Sequence, residues 1–413
     1  MRFSEEVIDL LRRIESRGYE AWVVGGAVRD QLLGLPAHDV DLTTDAHPGQ
    51  ICEIFPDLRT IDVGRAYGTI RVIYHENVYE ITTYRAEGDY RDGRHPDEIE
   101  FSKHIEDDLM RRDFTMNAMA WHPERGLLDL FGGQRDLSEG RLCAVGNAEE
   151  RIAEDALRMM RAVRFAARFA LTLDKDLFHA IQVHHKRLRL VSVERCFEEM
   201  ERMMSGEHAG EAIRLMENTG LLSDLIPELV LFPSYEKLLK ILPSNPNLRW
   251  AGLFFQVPDA PGVSKKILKR LRASGERMHG VSTILEESKV PLPSSLADTQ
   301  RTLGKWGKRA GEILAFYEGV LQWRQSEGEN CENSAQMLNI FLRNMDIIKE
   351  KKLPISIRDL AVSGKDLLAA GFSPGKGIGD TLAFLLEEVV EGRIANTEAV
   401  LLEKAVQRKE QGR

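Results

Sequence analysis

Short apolar runs and alternating positions dominate the first third of the chain, and near residue 149 they give way to helical periodicity that continues to the C-terminus. The opening MRFSEEVIDLL has the spacing of an amphipathic helix. Ala21–Val24 is apolar and rich in valine, as in a buried strand, and Val28–Leu33 follows as a short helix. Residues 38–44 (HDVDLTT) alternate, which predicts a strand with Asp39 and Asp41 on one face and Val40 and Leu42 in the core. Pro48 starts a helix, and TIRVIYH (69–75) and VYEITTY (78–84) read as strands joined by a tight turn. A polar segment with glycines and a proline (86–100) reads as a mobile loop. FTMNAMAWH (114–122) returns to strand, DLFGGQRDL (129–137) contains a Gly-Gly turn, and 151–169 reads as one continuous helix. The predicted fold class is therefore multidomain α+β. A mixed sheet with helices occupies roughly the first 140 residues, and the remainder is all-helical, with breaks at Pro243–Pro246 and Pro291–Pro293.

Length and composition narrow this picture. At 413 residues, 43% hydrophobic and 29% charged, the chain is an ordinary folded protein with more than one core. No apolar run is long enough for a membrane span, and the four cysteines (52, 143, 196 and 331) form no C-x-x-C, so we expect no membrane partner and a cytoplasmic setting. A net charge of −9 argues against a nucleic-acid partner at first sight. Basic residues nevertheless cluster at 265–272 (KKILKRLR) and again at Arg301, Lys305, Lys308 and Arg309, two candidate tracks for a phosphate backbone.

Candidate chemistry concentrates in three places. Gly25 and Gly26 end the first strand and allow backbone N–H groups to approach an anion, while Arg29 can fork onto phosphate oxygens. Asp39 and Asp41 then place two carboxylates beside that cradle, the arrangement that Mg²⁺-dependent phosphoryl or nucleotidyl transfer requires. Neither G-x-G-x-x-G nor a P-loop occurs in the chain. Arg111-Arg112-Asp113 precedes the 114–122 strand, with Arg112 suited to a triphosphate or ribose and Asp113 suited to buttress it. In the 151–169 helix, Glu154, Asp155 and Arg158 share a face that Arg161 and Arg164 continue. An aspartate beside an arginine matches the Watson–Crick edges of cytosine and adenine, an exocyclic amine next to a ring nitrogen, and mismatches uracil and guanine. Glu80, in YEITT, is either a third carboxylate of the cluster or a solvated strand position.

These segments resemble the motifs of the class II tRNA nucleotidyltransferases, the CCA-adding enzymes, within a superfamily that includes bacterial poly(A) polymerases. The matching stretches are GGAVRD…LG…DVDL, RRDFTMNAMA, DLFGGQRDL, EDALRMMRAVRF and VSVERCFEEMERMM (191–204), in family order over roughly residues 20–205. AVSGKDLL (361–368) and PGKGIGDTL (374–382) extend the likeness more weakly. The resemblance implies a catalytic head (1–140), a nucleotide-selecting neck (141–206), and a helical body (207–340) and tail (341–413) that hold tRNA. It implies metal ions, Mg²⁺, on the catalytic Asp39 and Asp41, triphosphate contacts from Gly26 and Arg29, and a ribose or phosphate contact from Arg112. Base selection falls to Asp155 and Arg158, with Arg161 and Arg164 supporting the nucleotide. The implied partners are CTP, ATP and the tRNA acceptor arm, with a homodimer left open. Residues 86–100 correspond to the family's flexible loop, present at full length. The implied reaction is template-independent CCA addition with release of pyrophosphate. An A-adding partner enzyme, a poly(A) polymerase and an inactive RNA-binding paralogue are the alternatives.

Overall fold

The computed structural model describes residues 1–37, 39–64, 68–86 and 100–411. The polar loop expected at 86–100 falls almost entirely outside them, as does His38. Two compact units emerge, Met1–Val230 with Arg270–Ala273, and Leu231–Lys269 with Ser274–Arg413.

The first unit is built on a seven-stranded sheet. Helix α1 (Glu5–Glu15) is capped by Ser4, carries acids in its first turn and arginines in its last, and buries Val7, Leu10, Leu11 and Ile14 as a stripe. Strand β1 (Ala21–Val24) is buried throughout and lies in the interior of the sheet. It passes through Gly25 into α2 (Gly26–Leu32), then β2 (Asp41–Thr44), α3 (Pro48–Ile54), β3 (Arg59–Gly64), β4 (Thr69–Tyr74) and β5 (Asn77–Thr83). Helix α4 (Ile105–Met110) leads to β6 (Met119–His122), β7 (Gly126–Asp129) and α5 (Gly133–Ser138). The strand order is β3-β4-β5-β2-β1-β6-β7, antiparallel except for β2 and β5, which run parallel with Asp41 opposite Glu80. The sheet is therefore mixed, as the sequence predicts.

Three local expectations need correction. Strand β2 begins at Asp41, so Asp39 lies in the turn before it, and Thr43 and Thr44 are both buried instead of alternating. The strand expected over 114–122 starts only at Met119, because Thr115–Asn117 tighten into a 3-10 turn. The helix expected over 151–169 is broken into α6 (Ala148–Glu154) and α7 (Leu157–Arg168). Asp155 is extended at the break (φ −141°, ψ 103°), and its Oδ1 accepts from Leu157 N at 2.9 Å. A short aspartate side chain competes with the helical hydrogen bond and starts the next helix.

The Gly-Gly turn of DLFGGQRDL has a mechanical role. Gly132 has φ +76°, and Asp129 accepts from the N–H groups of Gly133 and Gln134 at 2.8 and 2.9 Å. A Cβ on Gly133 would lie 2.2 Å from the Thr115 carbonyl oxygen, so α5 seats directly on the backbone that follows Asp113. Gly133→Ala is expected to cost about 2–3 kcal/mol by overpacking, read as a lower denaturation midpoint. An unchanged midpoint would show that this seat yields freely.

Beyond α7, the first unit continues through α8 (Lys175–His184) and α9 (Val193–Ser205), and α9 packs on α7. The second unit is helical, with no strand among its described residues, and its C-terminal part closes around Leu367, Leu385, Leu401 and Ala405. No described helix is long and apolar enough to cross a membrane.

Candidate active site

A cavity of about 650 Å³ in the first unit gathers nearly every residue singled out in the sequence: Gly26, Arg29, Asp39, Asp41, Glu80, Arg112, Asp155, Arg158, Arg161 and Arg164. Strands β2 and β5 contribute Asp41 and Glu80 to its lining, the Gly25 turn and α2 contribute Gly26 and Arg29, and α7 contributes Arg158, Arg161 and Arg164.

The carboxylates gather negative charge there. Asp39 and Asp41 make no ion pair among the described residues, while Glu80 is held by Arg71 at 2.6 Å. Asp41 opens onto the cavity, yet enclosure by the surrounding protein pushes its carboxyl up to about 6, with Glu80 and then Asp39 adding to the shift against Arg112. No three described carboxylates, histidines or cysteines form a ready-made metal cage. Two carboxylates without an ion pair among the described residues, lining one cavity, still fit a small hard cation, because Mg²⁺ is usually held by one or two carboxylates with phosphate and water completing its shell.

At the turn, Gly25 has φ +71°, and a Cβ there would lie 2.7 Å from Arg112 Nη1. Only glycine combines that backbone with so close an arginine. Arg112 is fastened by Asp108 Oδ2 at 3.1 Å and the Asn117 carbonyl at 3.4 Å. Asp113 is therefore not its buttress. Asp113 is buried and accepts instead from Arg161 Nε at 2.8 Å and Asn117 Nδ2 at 3.0 Å. Burial alone would raise its pKa, but Arg161 and these hydrogen bonds outweigh burial and hold it below the ordinary aspartate value. Asn117 in turn accepts from Arg29 Nη1 at 2.6 Å, and Arg29 also forks onto Asp30. A continuous chain, Arg29–Asn117–Asp113–Arg161, thus crosses under the cavity.

At the helix break, the side chains of Asp155 and Arg158 do not pair with each other, although the Arg158 N–H donates to the Asp155 carbonyl at 3.0 Å. Asp155 Oδ2 accepts from Arg195 Nη2 of α9 at 2.7 Å. Arg158 donates through Nη1 to Glu154 and the Arg151 carbonyl, and through Nη2 to the Arg111 carbonyl at 2.9 Å. Each Asp155 oxygen keeps a lone pair, and Arg158 keeps its Nε–H and one Nη2–H for a ligand. Arg164 is committed to Glu199 of α9 at 2.5 Å. The residues that sequence reading missed, Asn117, Arg195 and Glu199, all lie within the quoted motifs, and their role as holders of other site residues appears only in three dimensions.

The poly A polymerase head domain family matches residues 21–143, a second polymerase A model matches 170–232, and tRNA nucleotidyltransferase domain 2 matches 243–405. The CCA-adding enzyme of Latilactobacillus sakei subsp. sakei is 35% identical over 404 residues, 97% of both chains. The chain belongs to the CCA-adding enzyme family. The Geobacillus kaustophilus member of this family is 34% identical over 395 residues, covering 95% of this chain and 94% of its own. The crystal structure of the Bacillus stearothermophilus CCA-adding enzyme in complex with CTP superposes with a TM-score of 0.77 at 30% identity, over 98% of both chains. The Thermotoga maritima CCA-adding enzyme complexed with tRNA_CCA shares the fold, with a TM-score of 0.65 at 21% identity over 98% of this chain and 96% of its own. For a family member, the two basic clusters are less available than the sequence implies. Arg301 is tied to Glu387, Glu391 and Asp298, Lys305 to Glu287, Lys308 to Glu276 and Arg309 to Glu312. Within 265–272, Lys265 and Arg270 are paired with Glu286 and Glu228, whereas Lys266 and Lys269 are exposed with no ion pair among the described residues.

Proposed function

We propose that this protein adds CCA to the 3′ end of tRNA from CTP and ATP without a nucleic-acid template, releasing pyrophosphate. One observation carries the reading: Asp39 and Asp41 line the same cavity of about 650 Å³ as Asp155 and Arg158, so a pair of carboxylates suited to a metal and an aspartate and arginine suited to a base edge share a single space. Membership in a family whose named relatives match over nearly the full chain supports it.

Asp39 and Asp41 would hold Mg²⁺, with Glu80 beside them. When bound, the ion supplies charge neutralisation at the reacting phosphate and the departing pyrophosphate. The chain's own residues do the rest. Gly26, Arg29 and Arg112 bind and orient the triphosphate and ribose, and Arg29 is kept in place by Asp30 and Asn117. Asp155 accepts from the exocyclic amine of cytosine or adenine, and Arg158 donates to the adjacent ring nitrogen. Arg161 and Arg164 support the nucleotide from the same helix. Residues 1–140 serve as the catalytic head, 141–206 as the selecting neck, and 207–340 and 341–413 as RNA-binding body and tail. Four free thiols support a reducing, cytoplasmic setting.

Extension of two RNA acceptors, tRNA lacking CCA and tRNA ending in CC, tests this one nucleotide at a time. CTP alone is expected to add two residues to the first, and ATP one to the second. Addition of A only, of an A tract, or of nothing would overturn the reading in favour of an A-adding enzyme, a poly(A) polymerase or an RNA-binding paralogue. Arg158→Ala is expected to erode discrimination against UTP and GTP by roughly 5- to 150-fold, the equivalent of 1–3 kcal/mol per mismatched buried contact. Unchanged discrimination would remove Arg158 from base selection.

A further inference from the structure

The cavity's arginines do not share their charge equally. Arg161 is committed to Asp113, Arg164 to Glu199, Arg158 to Glu154, and Arg112 shares Asp108 with Arg111. Arg168 differs. It lines the same cavity from the last turn of α7, is exposed, and its side chain makes no ion pair or hydrogen bond among the described residues. What holds it is an aromatic ring, since its guanidinium carbon lies 4.9 Å from the centroid of Phe169.

That ring already carries another cation. Arg29 approaches the same Phe169 centroid to 4.6 Å, and Phe169 stacks on Phe165 with the planes 14° apart. Two guanidiniums are thus gathered on one ring, and their repulsion is felt. After burial, and against the help of Asp30, Arg168 is one of the groups that hold Arg29 below its ordinary pKa.

A carboxylate would seat Arg168 more firmly than a ring does, but it would cancel the charge. The negative face of a phenyl ring attracts a guanidinium without adding a counter-charge, and leaves all five N–H donors free. A cation positioned in this way, beside an arginine that follows the Gly25–Gly26 turn, is arranged to receive an anion with several charges. We propose that Arg168 is a phosphate-binding residue that grips the terminal phosphates of the incoming nucleoside triphosphate alongside Arg29. This inference rests on the nucleotidyl-transfer reading above.

Arg168→Gln tests it, with Arg168→Lys and Arg17→Gln as companions. Arg17 is exposed just after α1 and removes the same charge away from the cavity. In Arg168→Gln, the KM for CTP and ATP and the inhibition constant of pyrophosphate are each expected to rise roughly tenfold, the loss of one charge-assisted hydrogen bond. The KM for RNA and the melting temperature should not move, Arg168→Lys should recover part of the loss, and Arg17→Gln should behave as the parent. Unchanged nucleotide and pyrophosphate constants would overturn the inference. So would a rise confined to the RNA KM, which would make Arg168 an RNA-backbone contact. Equilibrium titration of the parent protein with CTP and ATP separates the two levels. Parent binding with unaltered Arg168→Gln binding overturns this inference alone, whereas a parent that binds neither nucleotide overturns the nucleotidyl-transfer reading as well.

Discussion

Asp41→Asn is expected to abolish nucleotide incorporation, by roughly a thousandfold or more, since in the proposed reaction Asp41 would hold the metal ion on which several kcal/mol of transition-state charge stabilisation depends. The substitution keeps shape and strand register and removes only charge. Asp41 lies opposite Glu80 on the parallel strand and opens onto the cavity, so no core packing depends on its carboxylate. Burial, and after it the like charges of Glu80 and Asp39, also push its pKa upward. The denaturation midpoint should therefore hold or rise while turnover is lost. Asp39→Asn is expected to do the same from its place in the turn before β2. Single-turnover extension with saturating CTP reads the loss, and a thermal melt reads the fold. Near-parental turnover in either variant would remove that carboxylate from the reaction, whereas a collapsed melt would make it structural.

The second large effect belongs to Asn117. Its side-chain amide accepts from the Arg29 guanidinium at 2.6 Å and donates to the Asp113 carboxylate at 3.0 Å. The amide offers one atom that accepts from the cation and a different one that donates to the anion. Asn117→Asp would replace the donor facing buried Asp113 with a second carboxylate, at a cost of about 3 kcal/mol or more for a broken buried bond and two like charges in contact. Because Asp113 also holds Arg161, the disturbance should reach both Arg29 and helix α7. We expect weaker CTP and ATP binding together with a lower melting temperature at pH 7. Asn117→Ala, which introduces no charge, should lose less of both. Equal behaviour of the two variants would show that the amide's two-sided role is unimportant.

Some of this site is legible from local pattern. The valine-rich run before Gly25 and the paired runs at 69–84 announce their strands because burial imposes short-range periodicity. The three chemical segments stand out because their residues are adjacent in the chain. The helix break at Asp155 was not legible. Its cause is one aspartate oxygen turning back onto Leu157 N, against an unbroken apolar repeat that favours a single helix. Nor could the assignment of Asp113 be read from its neighbours, since Arg112 is next to it in sequence and Arg161 is its partner in space.

The order of residues along the chain is enough to show two aspartates after a glycine turn and, more than a hundred positions later, an aspartate and an arginine three residues apart. Tertiary structure alone decided which groups hold which. Arg29 meets Asn117 across 88 positions, Arg161 meets Asp113 across 48, and Arg195 meets Asp155 across 40. An arginine fork satisfies any acceptor within reach, so its partner is set by distance in space and not by order along the chain. The mixed sheet and the packing of α9 on α7 fix those distances. They bring these scattered charges together around one cavity.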